Sequence, residues 1–569
     1  MILRATMTAA QQIASPMYTE IMPQVLVPQE PFDAVVVGSG ATGGWAAKRL
    51  TEAGWRVAML EAGPKITPKD FTEHVQSWQM PYLGQSPVIS RRRPIQSLCY
   101  ACRETNQNWF VDDFENPYTQ SKPFYWIRER VLGGRSLSWG RQSYRLSDLD
   151  FKAASHDGYG DDWPISYGEM APYYEIVEKY VGISGQAEGL SQLPDGAFLP
   201  PMAMTCGEEM LRDRVRAKMG RVITIGRAAV LTRAHNGRAA CHSCGPCEQG
   251  CITFSYFSSP WTTIADAQKT GKLTLICDAV AARIPMKDGK ATGVMYIDRV
   301  TREPQEIRAR VVVLCASTLE STRLLLNSQI CNQNEALGHY LMDHHYQGGA
   351  SGYMPIDEAR PWAGPPRRPN GIYIPRFRNV SEKETDGFIR GYGYQGGSSP
   401  AFDTSAPGFG PAYKEAVRKG HWNASLNGFC ECLSRRENHV EIDPDRVDAW
   451  GIPVLKIDAA YGDNEKRLFE DSRLQAAEML EAAGAKNVRL TGEPSVFGFC
   501  IHEVGTARMG HDPQKSVLNR FNQAHEVKNI FVTDGACFVS SGCQNPTLTM
   551  MAITVRACDY ITKEYPKQA

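Results

Sequence analysis

A parallel α/β fold joined to a second, mainly antiparallel domain is what this sequence predicts, on three observations. A strand, a glycine turn and a helix succeed one another from Asp33, and a second strand-then-helix unit runs from Arg310 to Leu326. From Tyr346 to about Gly492, aromatic residues alternate with polar ones. The first two patterns belong to parallel sheets covered by helices, the third to antiparallel strands.

The first unit reads Asp33-Ala-Val-Val-Val-Gly38-Ser-Gly40-Ala41-Thr42-Gly43-Gly44. The apolar run suits a buried strand, and Gly38, Gly40 and Gly43 have the G-x-G-x-x-G spacing of a Rossmann-type dinucleotide turn. Gly38 allows the sharp turn, Gly40 lets a pyrophosphate approach the backbone, and Gly43 lets the helix sit close to the strand. Ala41 and Thr42 open that helix, whose unpaired N–H groups attract negative charge. A second apolar strand ends in Glu61, placed to accept hydrogen bonds from an adenosine ribose.

Composition excludes several classes. The chain has 569 residues, with Lys plus Arg and Asp plus Glu both 62, so no basic field points to nucleic acid or to an anionic membrane. No apolar run is long enough to span a bilayer, and residues 1–31 lack the compact apolar core of a secretory signal. That stretch, with its prolines and weak periodicity, reads as an N-terminal extension. Residues 67–125, rich in Pro, Gln, Asn and aromatics, read as long loops around a site, and Cys99 and Cys102 within them as ordinary thiols.

Most of the 16 cysteines are scattered, but Cys241, Cys244, Cys247 and Cys251 lie within eleven residues with C-x2-C-x2-C-x3-C spacing, in a loop assigned to residues 236–256. Tetrahedral zinc sites draw on two separated pairs, whereas tight wrapping suits an iron–sulfur cluster. No proline follows Cys251, so three thiols could hold a three-iron cluster, the preferred form, or four a four-iron cluster. Zinc and purely structural thiols stay open as alternatives.

Arg130-Val-Leu-Gly133-Gly134-Arg135-Ser136-Leu-Ser138-Trp139-Gly140 is followed by Asp162-Trp163-Pro164-Ile165-Ser166-Tyr167. Near the carboxy terminus stand Cys500-Ile-His502-Glu503, then Asp534-Gly535, then Asn545-Pro546-Thr547. Together with the amino-terminal glycines these resemble the glucose-methanol-choline (GMC) flavoprotein oxidoreductases, above all the cluster-containing sugar dehydrogenases of that family, such as the large subunit of glucoside 3-dehydrogenases. The resemblance implies a discontinuous FAD-binding domain (32–345 and 496–569) around a mainly antiparallel substrate domain (346–495). It implies that Gly133 and Gly134 pass the flavin ring, that the turn holding Ser317, with Val280, packs on the adenosine half, and that Asp534, Gly535, Asn545, Pro546 and Thr547 close the cradle. Ser138 falls where pyranose oxidases of the family carry the histidine that bonds to FAD, so the cofactor is expected to be non-covalent.

His502 falls on the family's catalytic histidine and Asn545 on its partner. The chemistry is sensible, because oxidising an alcohol requires its O–H proton to leave as the C–H hydride goes to flavin. A neutral imidazole can take that proton, and an amide N–H can stabilise the developing alkoxide. His511, His344 and His345 lack such support and read as packed or surface residues. The expected activity is oxidation of a pyranose or glucoside hydroxyl, at C3, with electrons leaving through the cluster to a cytochrome or quinone acceptor. An oxygen-reducing pyranose oxidase, a gluconate 2-dehydrogenase and an FAD-dependent lyase are the alternatives. The resemblance implies a small subunit and a cytochrome as partners. It also implies periplasmic delivery by co-export with a signal-bearing partner, the cytoplasm being the alternative.

Overall fold

The computed structural model describes residues 24–25, 30–356, 368–381, 387–401 and 407–565. Most of the N-terminal extension therefore lies outside the described residues, although Gln24–Val25 pairs in parallel with Gln305 and Glu306. Among the described residues no helix is long and apolar enough to cross a membrane.

The main sheet runs Leu273–Ile276, Val57–Leu60, Phe32–Val37 and Pro304–Leu314, all parallel. Its residues Ala34 to Val37 and Val57 to Leu60 are buried, as continuous Val-rich runs in parallel sheets require. The eleven-residue strand Pro304–Leu314 has two partners on its far edge. Its first half pairs antiparallel with Gly293–Asp298. Its last three residues pair in parallel with Ile530–Val532, which returns from the carboxy-terminal block. This closes the split domain, and helices Ala41–Glu52 and Thr547–Lys563 pack against each other over it.

The largely apolar run from Leu273 to Ile284, continuous in sequence, makes two strands. Leu273–Ile276 joins the parallel sheet, and Ala279–Arg283 pairs antiparallel with Gly293–Asp298. The break falls at Asp278, whose φ of 58° is left-handed and whose carboxylate accepts from Arg299 Nε at 2.6 Å.

The second sheet is antiparallel throughout: Lys486–Thr491, His345–Met354, His421–Cys430, Tyr392–Ala401, Ile372–Ile374 and Thr224–Ile225. Helix Asp463–Ala482 covers one face, where Tyr394 donates its hydroxyl to Ser472 O at 2.7 Å. The alternation of a strand then sends the neighbouring Gln395 to the opposite face, toward the carboxy-terminal block. Strands His439–Val447 and Pro453–Asp458, inside the stretch expected to be the substrate domain, instead lie with helix Thr318–Ser328. Arg323 of that helix donates to Asp448 Oδ2 at 2.8 Å and to Pro453 O at 2.8 Å.

Ser166 caps helix Tyr167–Val181. Glu169 N donates to its hydroxyl at 3.4 Å, and Ser166 N donates to the Glu169 carboxylate at 3.0 Å. Such a reciprocal cap contributes about 1 kcal/mol. Behind it, Trp163 Nε1 donates to Ser540 Oγ at 2.7 Å and fixes the helix against the carboxy-terminal block.

Candidate active site

Two glycine turns face each other across the top of the parallel sheet. A Cβ on Gly38 would lie 2.3 Å from Cys315 O, and one on Gly43 would lie 1.9 Å from Gly38 O, so both positions are packed solid. Gly40 and Gly134 differ. An added Cβ would meet nothing closer than 3.9 Å at Gly40 and 4.0 Å at Gly134, where the nearest atoms belong to the opposing turn and to Glu129 O. The open space lies at the start of helix Ala41–Glu52, which has no side-chain cap and no acidic residue in its first turn. Its N–H groups and dipole are therefore free to receive an anion. This cradle fits the pyrophosphate of FAD.

Ser39 joins the pieces. Gly133 N donates to its hydroxyl at 2.8 Å, the hydroxyl donates to Glu61, and its carbonyl accepts from Ser259 Oγ at 2.6 Å. Glu61 is 6% exposed and accepts from Gly63 N at 2.8 Å, and burial raises its pKa. Val280 packs with Ala62 beside it. Ser317 holds a left-handed φ of 83° at the head of helix Thr318–Ser328. Asp534 accepts from Ser321 Oγ and from Ala536 N at 3.0 Å, and burial pushes its pKa up to about 6. Gly535 lies so close to Thr318 that a Cβ would fall 2.4 Å from its Oγ1. The Ser138 hydroxyl donates to Glu129, whose pKa burial raises to about 8.

We expect Gly40→Ala to fold normally, since the position has room and an ordinary φ of −62°, yet to weaken FAD binding by about tenfold, or 1.4 kcal/mol. Flavin retained after gel filtration, compared with an unchanged circular dichroism spectrum, checks this. Full flavin retention would refute the cradle assignment.

The Gly133–Ser138 turn is tied to the His502 loop. Arg135 donates to Ile501 O at 3.1 Å and to Glu503 Oε2 at 3.1 Å, while Thr318 Oγ1 donates to Glu503 O at 2.5 Å. His502 Nε2 lies 3.2 Å from Asn545 Nδ2, at the turn where Pro546 and Thr547 begin the last helix. Asn545 Oδ1 accepts from Gln395 Nε2 at 2.7 Å. Asp343 accepts from His502 N at 3.0 Å and Cys500 N at 3.2 Å, and burial, aided by Glu503, pushes its pKa up to about 8. Phe429 stacks near His502 with ring centroids 6.0 Å apart.

His344, expected to be a bystander, belongs to this site. Its Nδ1 is 2.8 Å from His502 Nδ1, and its Nε2 is 2.8 Å from Gly542 O. A carbonyl only accepts, so His344 Nε2 carries a proton. Burial lowers the His344 pKa to about 4, so the ring is neutral and its Nδ1 is a lone pair. His502 Nδ1 must then donate to it, which leaves Nε2 of His502 unprotonated and facing Asn545. Burial, then His344 and Arg135, hold the His502 pKa well below 6.5. The arrangement presents a neutral imidazole with its basic nitrogen toward the amide donor.

Sequence reasoning missed His344, Asp343 and Gln395. The one available signal was Asp343-His344-His345 heading a strand, since neighbours on a strand face opposite ways. His345 does turn into the core, stacked on Tyr461 at 4.1 Å and Phe469 at 4.4 Å. His511 is exposed, and Cys99 and Cys102 are buried free thiols in an apolar cluster.

Cys241, Cys244, Cys247 and Cys251 are free and line one small cavity with Tyr256. Ser243 N donates to Cys241 Sγ at 3.4 Å and Ser255 N to Cys251 Sγ at 3.3 Å. The segment after the cysteines is strapped along the second glycine turn. Tyr256 donates its hydroxyl to Leu137 O, Trp139 Nε1 donates to Phe257 O at 2.9 Å, and the Ser136 and Ser258 hydroxyls lie 2.9 Å apart.

A relative from Mycolicibacterium austroafricanum, a 2-methyl-1,2-propanediol dehydrogenase, is 29% identical over 94% of this chain and 95% of its own. The fructose dehydrogenase large subunit of Gluconobacter japonicus is 26% identical, over 94% of this chain and 98% of its own. Among solved structures, the pyridoxine 4-oxidase from Mesorbium loti superposes with a TM-score of 0.59 at 17% identity, covering 93% of this chain and 98% of that one. The GMC oxidoreductase family models match residues 32–346 and 434–554, the stretches that carry both glycine turns, His502 and Asn545. The chain thus belongs to the GMC oxidoreductases and is an oxidoreductase acting on CH–OH groups, in a family that implies FAD.

Proposed function

We propose that this enzyme oxidises a secondary ring hydroxyl of a pyranose or glucoside, at C3, to a 3-keto sugar. We further propose that the electrons leave through an iron–sulfur cluster at Cys241, Cys247 and Cys251, with Cys244 spare. The observation that carries the alcohol chemistry is the His502 Nε2 and Asn545 Nδ2 pair, 3.2 Å apart beneath the free face of the antiparallel sheet. Similarity to a diol dehydrogenase and to a fructose dehydrogenase large subunit supports a sugar or polyol substrate. The choice of C3 rests on the resemblance drawn from the sequence.

When bound, FAD supplies the two-electron acceptor for the hydrogen leaving the carbinol carbon. Gly38 to Gly43 would hold its pyrophosphate, Glu61 its ribose, and Gly133, Gly134, Ser138 and the start of helix Thr547–Lys563 its ring. His502 Nε2 takes the hydroxyl proton, and Asn545 Nδ2–H donates to the oxygen as its charge grows. Gln395 holds that amide so that its nitrogen points inward. Phe429 and Tyr346, with ring centroids 4.6 Å apart, offer an apolar wall for the C–H face of a sugar.

An electron exit is supported by the four thiols around one cavity and by the strap from Ser255 to Ser259, which touches both glycine turns. A small subunit and a cytochrome acceptor, with delivery to the periplasm, complete the proposal.

Anaerobic mixing of iron-assayed protein with glucose, a glucoside and gluconate tests the reading. Bleaching of the flavin by a glucoside, followed by a cluster signal in electron spin resonance, is expected. Bleaching by a protein without iron would overturn the cluster, and no bleaching by any sugar would overturn the substrate class. Cys247→Ser should leave sugar-driven bleaching intact while slowing reoxidation by cytochrome by an order of magnitude or more. Equal reoxidation rates would refute the exit route.

A further inference from the structure

We propose that Cys244, His74 and His242 bind a zinc-class divalent cation at a mononuclear site separate from the other three cysteines. The proposal deepens the cluster reading, because it says what the spare thiol does.

Two loops distant in sequence meet there. His74 lies in the loop-rich segment and His242 among the cysteines. Gln76 Nε2 donates to Cys244 O at 3.0 Å, Thr72 N to Gln249 O at 2.9 Å, and Ile252 N to Glu73 Oε1 at 2.6 Å. These bonds hold His74 over the cysteine loop, with its ring centroid 5.3 Å from that of His242. One ring nitrogen of each histidine and the Cys244 sulfur all lie within 4.8 Å of one another. Among the described residues, the set of three donors that converges at Cys244 is completed by the two histidines.

Two imidazoles and a thiolate, with a fourth position open to water, form a borderline-soft set suited to zinc. Zinc at about 2.0–2.3 Å from each donor would bring them to about 3.5 Å apart. The closure of about 1 Å is within reach of the two exposed histidine side chains by χ rotation. The His242 imidazole also has an oxygen neighbour at hydrogen-bond distance, of the kind that orients a metal-binding ring, and a carboxylate stands farther off beside His74. His242 Nδ1 lies 3.4 Å from Thr253 Oγ1, and His74 Nε2 lies 3.9 Å from the buried Glu73 carboxylate. Binding replaces the Cys244 proton, released to solvent, with the metal and involves no redox change. The metal would clasp the loop-rich segment to the cysteine loop.

Full-length protein carrying FAD, equilibrated with zinc chloride and dialysed, is analysed for zinc, iron and acid-labile sulfide. One zinc per chain is expected. His74→Ala/His242→Ala and Cys244→Ser should each lower it by about tenfold or more, with iron, sulfide and flavin unchanged. Cobalt chloride should give thiolate-to-cobalt charge-transfer absorption in the wild type that the double variant lacks. Zinc retained by the double variant, or iron and sulfide lost from Cys244→Ser, would overturn the proposal. The second result would make Cys244 a cluster ligand. Wild-type protein with histidine-dependent zinc but no iron would refute only the cluster reading and leave this site standing.

Discussion

His502→Ala should retain FAD and its fold yet reduce flavin by sugar about 10²–10⁴-fold more slowly, the usual contribution of a positioned general base. FAD retention is expected because the glycine cradle lies on other elements. Burial of His502, reinforced by His344 and Arg135, keeps its pKa well below 6.5, and this fixes the pH dependence. The base works unprotonated, so a depressed pKa extends the working range downward. The anaerobic bleaching rate in the wild type should stay flat as pH falls through about 6.5 and decline only well below it. Stopped-flow reduction of wild type and variant across pH measures both effects. A variant within a few-fold of wild type, or an acid limb above pH 7, would remove His502 from the role of base.

How much of this was legible in the sequence follows from where each signal resides. Gly38, Gly40, Gly43 and Glu61 belong to one local strand–turn–helix–strand unit, so their spacing carries their geometry. His502 and Asn545 sit in motifs that resemble a known family, and the fold brings them together across 43 positions of chain. The Leu273–Ile284 break was hidden because a two-residue turn at Cys277 and Asp278 interrupts no apolar pattern, and only the pairing with Val57–Leu60 reveals it. His344 was illegible for a stronger reason. It lies 158 residues from His502, and its role depends on which nitrogen faces which acceptor, set by the Gly542 carbonyl. Residue type alone carries no tautomer.

The antiparallel sheet explains why such distant pieces meet accurately. Its covered face is nailed to helix Asp463–Ala482 by Tyr394 and by the apolar cluster of Tyr392, Leu468 and Met479. Strand alternation then fixes Gln395 on the other face without further support. Phe429 and His344 stand on or beside strands of that sheet, with ring centroids 6.2 Å apart. Half of the site is thus a sheet face, and half is the carboxy-terminal block docked under it.

The tautomer relay makes the second large prediction. His344→Leu removes the acceptor for His502 Nδ1–H, so the proton can move to Nε2 and block the lone pair needed for catalysis. A histidine left without the group that fixes its tautomer loses up to about 10⁴-fold in a hydrolytic triad; here roughly 10²-fold is expected, since Asn545 still favours the productive form from the other side. His344→Gln is the informative partner. Its amide can offer Oε1 to His502 Nδ1–H and Nε2–H to the Gly542 carbonyl, the same polarity as the neutral imidazole, so flavin reduction should recover most of the loss. A purely structural role would show the opposite order, because leucine suits a buried site better than an amide does. Thermal midpoints of both variants, read beside their anaerobic reduction rates, separate the two cases. Equal rates for His344→Leu and wild type would show that His502 keeps its tautomer unaided.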